Sequence, residues 1–314
     1  MAAMTAMAAI TQLTATHPRL RFKRGDSEAT MAQDPAQEPA QQSAPPINSY
    51  FSALQDYSAE QLAQLLPDAA PLKWAGDRLA DTAIVCIHGF RAMPYGVRPI
   101  AEKCAQGRFD TYAPLLPGHG WRDPQQQRQD FSRVTLDRLL TALRTEVAQL
   151  RDRYKRVYVY GDSLGGALAL ALASEGLVEA CATTAPALML PFRGAVLARY
   201  FGWLNINLPK PPSQRFYTPC YDFENSRAGH AVWAVSRYAR TRLEQIQCPV
   251  FIAHSPHDPT IPPAAAELAR DRCQGPVELQ WFSNSGHVLP LDCQGEEVSQ
   301  AIAQFFSEVT LNQR

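Results

Sequence analysis

The six residues Gly161-Asp162-Ser163-Leu164-Gly165-Gly166 constrain this chain more than any other stretch of it. Ahead of them runs Arg156-Val157-Tyr158-Val159-Tyr160, rich in β-branched and aromatic residues as a buried strand is. Behind them runs Ala167-Leu168-Ala169-Leu170-Ala171-Leu172-Ala173, a strong helix former. A Gly-x-Ser-x-Gly placed between a strand and a helix forces its serine onto a cramped backbone and leaves the Oγ standing clear of the sheet. Gly161 and Gly165 fall where side chains would collide with the neighbouring strand and helix, and Gly166 lets the helix start pack close.

The same alternation runs through the rest of the chain. Thr82 to His88, Phe109 to Leu116, Val157 to Gly161, Ala180 to Thr184, Val250 to His254 and Val277 to Phe282 read as strands. Helices fall between them. In one, Val134, Leu136, Leu139, Leu140, Leu143, Val147 and Leu150 mark an apolar face, with Asp137, Arg144, Glu146, Arg151 and Asp152 opposite. Val298, Ile302, Phe305 and Phe306 mark the last helix. Strands alternating with helices predict an α/β fold with a mostly parallel central sheet flanked by helices.

Over sixty residues separate the strand ending near Ala185 from the one starting at Pro249, too many for an ordinary crossover. They are rich in aromatics, among them Tyr200, Phe201, Trp203, Tyr217, Tyr221 and Phe223. Residues 186–247 are therefore expected to form a helical cap over the C-terminal edge of the sheet, where open α/β sheets place their sites. Residues 50–314 make one domain around that insertion. Residues 1–49 read differently: an uncharged Ala/Thr/Met-rich start, a basic stretch from His17 to Arg24, then a Gln/Ala/Pro-rich tract. This is a disordered tail or an over-long gene start, with a targeting segment as the alternative.

With 46% hydrophobic and 19% charged residues the chain can bury one large core. Its zero net charge gives no electrostatic case for a nucleic-acid or membrane-surface partner. No apolar run approaches the roughly 18–20 residues of a membrane span. Seven scattered cysteines without a Cys-x-x-Cys fit buried free thiols in a reducing compartment, which predicts a cytoplasmic protein with neither disulfides nor a metal set.

A serine nucleophile needs a base, and the base needs an acid. His287, in Ser283-Asn284-Ser285-Gly286-His287-Val288, lies between the last strand and the last helix, where a loop returns over the strand ends. Asp258 lies just past the preceding strand, in His257-Asp258-Pro259. Asp292 and Asp222 are the alternative acids, since Asp-Pro is also ordinary turn chemistry. The oxyanion formed by attack needs two backbone N–H donors. Leu164 supplies one, after the nucleophile; Phe90, in His88-Gly89-Phe90 at the end of an early strand, supplies the other. His88, His119, His254 and His257 read as braces of their loops.

The order Ser163, Asp258, His287 is that of the α/β-hydrolase fold. Ile87-His88-Gly89-Phe90, Pro117-Gly118-His119-Gly120, Gly161-Asp162-Ser163-Leu164-Gly165-Gly166, His257-Asp258 and Ser285-Gly286-His287-Val288 together resemble the bacterial carboxylesterase and monoacylglycerol lipase group of the α/β-hydrolase superfamily, over about residues 80–310. The resemblance implies Ser163 as nucleophile, Asp258 and His287 as its partners, Phe90 and Leu164 as oxyanion donors, and a cap over an acyl tunnel. It implies a small-molecule ester substrate of short-to-medium acyl length or a monoacylglycerol, and no cofactor. A thioesterase, a carbon–carbon hydrolase and a non-catalytic binding module are the alternatives on the same scaffold. Gly161-Asp162-Ser163-Leu164 also spells the GDSL esterase signature, but that family places its serine near the domain start, with a closely spaced Asp-x-x-His at its end. One residue departs from the resembled pattern. Asp162 stands where an apolar residue or His is usual, and its charge disfavours an oxyanion unless it faces solvent or a cation.

Overall fold

The computed structural model describes residues 50–76, 81–212 and 215–312. The readings made for residues 1–49 lie outside these. In chain order come α1 (Ala59–Ala63), β1 (Leu72–Trp74), β2 (Thr82–Ile87), α2 (Arg98–Gln106), β3 (Asp110–Ala113), α3 (Pro124–Phe131), α4 (Leu136–Arg151), β4 (Arg156–Asp162), α5 (Leu164–Ser174) and β5 (Ala180–Thr184). Then follow α6 (Phe192–Phe201), β6 (Asn207–Pro209), β7 (Phe223–Asn225), α7 (Ser226–Arg240), β8 (Val250–His254), α8 (Ala264–Arg272), β9 (Val277–Trp281) and α9 (Gly295–Asn312).

Seven strands form one sheet in the order β1-β3-β2-β4-β5-β8-β9. All neighbours run parallel except β1, which pairs antiparallel with β3 at the edge. The central strands are buried on both faces, which is why they read as unbroken apolar runs. Their side chains alternate. Ala83, Val85 and Ile87 of β2 join the core shared with α4, α5, α7 and α8. Ile84 and Cys86 join the core shared with α2 and α9.

From β2 the chain moves outward to β3, then returns to add β4 on the other side. Strand order reverses there, and the loops leaving β2 and β4 diverge from that point. Residues 88–92 and the Ser163 turn are those loops.

Three features escape the sequence pattern. The edge strand β1 is three residues long. Glu146, expected on the polar face of α4, is instead buried. It accepts hydrogen bonds from Tyr50 (2.7 Å), the Ser52 hydroxyl (2.5 Å) and the Ala53 amide (2.9 Å), so the start of the described chain closes over that face. Burial raises its carboxyl, against the opposing pull of these bonds. Finally, the stretch 186–247 divides in two. Helix α7 buries Ala228, Ala231, Val232, Val235 and Ala239 in the core shared with α5. Helix α6 and the β6–β7 hairpin precede it and leave Leu197, Tyr200, Phe201, Trp203, Ile206 and Leu208 exposed.

Candidate active site

Ser163 has φ 53° and ψ −111°, a conformation an L-residue adopts only under constraint. Its amide donates to the Thr184 carbonyl at 2.9 Å, and its carbonyl accepts from Ala187 at 2.9 Å and Ala167 at 3.1 Å. The strained turn is thus pinned from β5 and from α5. A Cβ on Gly165 would stand 2.0 Å from the Ile87 carbonyl oxygen, and one on Gly161 would stand 2.1 Å from the Gly165 carbonyl oxygen. The turn closes only with glycine at both places.

The side chain of Ser163 meets a line of hydrogen bonds. Its Oγ lies 3.0 Å from His287 Nε2, and His287 Nδ1 lies 2.7 Å from Asp258 Oδ2. The carboxylate can only accept, so Nδ1 carries the proton and Nε2 is free to take one. Asp258 is buried, and its Oδ1 accepts from the Thr260 amide at 2.7 Å and the Ile261 amide at 3.0 Å. Burial raises its carboxyl, but His287 and the two amides outweigh this and hold it below the ordinary carboxylate range. Ser163 and His287 stay partly open to solvent.

Asp292 does not compete for the histidine. Its Oδ2 accepts from the Gly286 amide at 2.7 Å and its Oδ1 pairs with Arg215 at 3.2 Å, so it shapes the loop that carries His287. Asp222 is exposed between β6 and β7. The Ser255 hydroxyl donates to the Ser285 carbonyl at 2.5 Å and ties the loop of Asp258 to the loop of His287.

Phe90 and Leu164 sit where the fold's two divergent loops meet. Leu164 opens α5, so its N–H has no intrahelical carbonyl to bond and lies at the positive end of the helix dipole. Phe90 follows Gly89, and a Cβ at Gly89 would stand 3.5 Å from the Ser163 Cβ. Two histidines fix this loop. His88 Nδ1 donates to the Gly89 carbonyl at 3.0 Å while Nε2 accepts from the Leu116 amide at 3.0 Å. His119 Nδ1 donates to the Pro117 carbonyl at 3.0 Å while Nε2 accepts from the Arg91 amide at 3.3 Å. Burial lowers His88 well below the usual imidazole range and His119 to about 4. Both are neutral braces, in line with the sequence pattern. His257 is exposed.

Asp162 neither faces solvent nor meets a cation. It is buried, and the Thr184 hydroxyl donates to its Oδ1 at 2.6 Å, with the Tyr160 hydroxyl 2.8 Å behind. Burial raises its carboxyl to about 6, with His287 and Thr184 pulling the other way. Below about pH 6 the protonated carboxyl carries no charge to oppose an oxyanion, and above it the Thr184 hydroxyl bonds the ionised group.

His254 does more than its sequence pattern suggests. Its buried Nε2 lies 3.1 Å from the Ile261 carbonyl and 3.5 Å from Asp258 Oδ2, so two histidines flank one carboxylate. Burial lowers its proton affinity. The spacing His254-x-x-x-Asp258 at a strand end is the signal that could have found it. Arg91, which no motif marks, follows Phe90 in the chain and is buried.

The Alpha/beta hydrolase family profile matches residues 84–301. A thermostable monoacylglycerol lipase of Bacillus sp. (strain H-257) is 25% identical over 233 residues, covering 72% of this chain and 90% of that protein. A carboxylesterase of Bacillus subtilis (strain 168) is 22% identical over 239 residues, covering 73% and 94%. Among solved structures, one from a study of the metagenome-derived lipolytic enzymes LipS and LipT superposes with TM-score 0.72 at 23% identity, covering 78% of this chain and all of that one. The Paleococcus ferrophilus monoacylglycerol lipase superposes with TM-score 0.63 at 17% identity, covering 76% and 98%. The matched span runs from β2 into α9 and takes in Ser163, Asp258 and His287, and on this ground the chain belongs to the α/β-hydrolase family.

Proposed function

We propose that the protein is a serine hydrolase of carboxylic esters that works through an acyl-enzyme. The observation that carries this reading is the unbroken line from Ser163 Oγ through His287 to Asp258. Ser163 attacks the ester carbonyl as His287 Nε2 takes its proton, and Asp258 stabilises the imidazolium. The tetrahedral anion is held by the Phe90 and Leu164 amides. His287 returns the proton to the leaving alcohol. Water then repeats the sequence on the acyl-enzyme and frees the acid.

The substrate class is a neutral ester of short-to-medium acyl length, or a monoacylglycerol. Two things support it: the lipase and carboxylesterase activities for which the two Bacillus relatives are named, and the exposed apolar side chains from Leu197 to Leu208 that can receive an acyl chain. On this reading residues 186–225 are the cap that selects the acyl chain.

The test is turnover of a p-nitrophenyl ester series from acetate to laurate, with thioesters and diketones alongside. Esters are expected to turn over best and Ser163→Ala to be silent. Ester turnover at background, with thioesters or diketones consumed, replaces the reading with one of those chemistries.

A further inference from the structure

Arg91 follows the proposed oxyanion donor Phe90, and nothing in the reaction scheme uses it. It holds φ at 63°, a left-handed conformation that favours glycine. It is only 9% exposed. Burying a guanidinium is costly unless its donors are spent. Here one of its nitrogens bonds main chain on two sides of one strap. Nη1 donates to the Lys210 carbonyl at 2.7 Å and to the Tyr221 carbonyl at 2.5 Å, while the Glu224 carboxylate stands 4.0 Å from Nε. The Arg91 main chain is engaged as well. Its carbonyl accepts from the Tyr221 amide at 3.0 Å, its amide donates to His119, and Ala92 bridges to Cys220.

These contacts make Arg91 the point where the β6–β7 hairpin is fastened to the loop after β2. An apolar side chain of similar volume would fill the space but bond neither carbonyl. A lysine ammonium has donors enough for both carbonyls, but on a different stem that does not place them as Nη1 is placed. A strained backbone and a buried charge at one position, beside a group that acts in the transition state, make a poor arrangement for stability alone.

We propose that Arg91 is a positioning residue: it fastens the strap at Lys210 and Tyr221 to the turn bearing the Phe90 amide, and that amide keeps its place only while the strap is seated. The proposal rests on the reading of Phe90 as an oxyanion donor. Because such a donor acts on the transition state, losing its alignment lowers kcat and leaves KM for a short ester nearly unchanged. A complete loss of one donor costs about 10²–10³ in kcat, so misplacement is expected to cost about 10–100-fold.

The test uses the full chain with p-nitrophenyl acetate. Arg91→Gly removes the side chain while suiting the positive φ, which keeps the fold accessible. Its kcat is expected to fall about 10–100-fold with KM within about twofold, and guanidinium at millimolar concentration should restore part of the loss. Sodium or ammonium at equal ionic strength should not. Arg91→Lys should show the same split with a smaller loss. An unchanged kcat in either variant overturns the proposal. So does a loss that guanidinium does not relieve and that follows the thermal unfolding of the variant. Ser163→Ala, run beside them, separates the two readings. If it is silent while Arg91→Gly is unimpaired, only the fastening role falls. If Ser163→Ala still turns over, the nucleophile reading falls and takes this one with it.

Discussion

The corner holding Ser163, Asp258 and His287 and the stretch from Leu197 to Leu208 treat their side chains in opposite ways. In the corner, every functional group is fixed from elements far apart in sequence: β4, the loop after β8, the loop after β9 and the loop after β2. Asp258 alone has three hydrogen-bond partners. In the stretch, Trp203 is 72% exposed, and Leu197, Tyr200 and Leu208 are each 57% exposed. Large apolar groups left in water mark a surface that something else covers. The lesson is a division of labour. The sheet edge fixes its groups at the cost of strain and buried charge, and the insertion leaves apolar surface exposed, which the proposed function assigns to the substrate.

If that division holds, removing one fixed group in the corner should damage activity far more than any change in the stretch. Asp258→Asn keeps the size of the side chain and leaves His287 Nδ1 without its acceptor. Its kcat should fall by about 10⁴, as in another triad enzyme. A nearly silent Asp258→Asn beside a dead Asp292→Asn would move the acid to Asp292. Next in size is the turn itself. Gly165→Ala must displace the Ile87 carbonyl, and denaturant unfolding should report a loss of about 4 kcal/mol.

The third effect is pH-dependent. Asp162 holds its proton up to about 6 in the folded chain, above the ordinary carboxylate range. Between about pH 4 and pH 6 the folded state keeps a proton that the unfolded chain releases. Stability contributed by this group therefore falls as pH rises through that window and is gone above it. Asp162→Asn should accordingly stabilise the protein by up to about 3 kcal/mol at pH 8 and by almost nothing at pH 4. Thermal melts at the two pH values check this, and an equal shift at both would show that the Asp162 charge is not the cause. The smallest effect belongs to the stretch. Trp203→Ser and Leu197→Ser should change stability by less than about 0.5 kcal/mol. They should instead weaken turnover of long acyl esters relative to acetate. A large loss of stability would place these side chains in a packed interface and break the comparison.

Local pattern made the sheet and the serine turn readable. Apolar runs of strand length ending in Gly, Pro, Ser or His carry both the element and its C-terminal end, and the fold's loops put Ser163, Asp258 and His287 there. What stayed hidden depends on contacts between distant segments. Glu146 sits at a polar position of its own helix and is buried only because residues 50–53 fold across it. His254 reads as one more loop histidine because its 3.5 Å approach to Asp258 depends on how Asp258-Pro259-Thr260-Ile261 turns. Arg91 carries no local signal at all, since its partners are more than a hundred residues away. Asp162 was readable as an anomaly, but its answer, the Thr184 hydroxyl, comes from the adjacent strand.

The central claim is a covalent bond at one oxygen. Intact-protein and peptide mass spectrometry after acid quench of a p-nitrophenyl butyrate reaction reads it directly. The account predicts a butyryl group on Ser163 during turnover, absent in Ser163→Ala and accumulating on a variant slowed in deacylation. Ester turnover with the acyl group on another residue, or undiminished in Ser163→Ala, would contradict it.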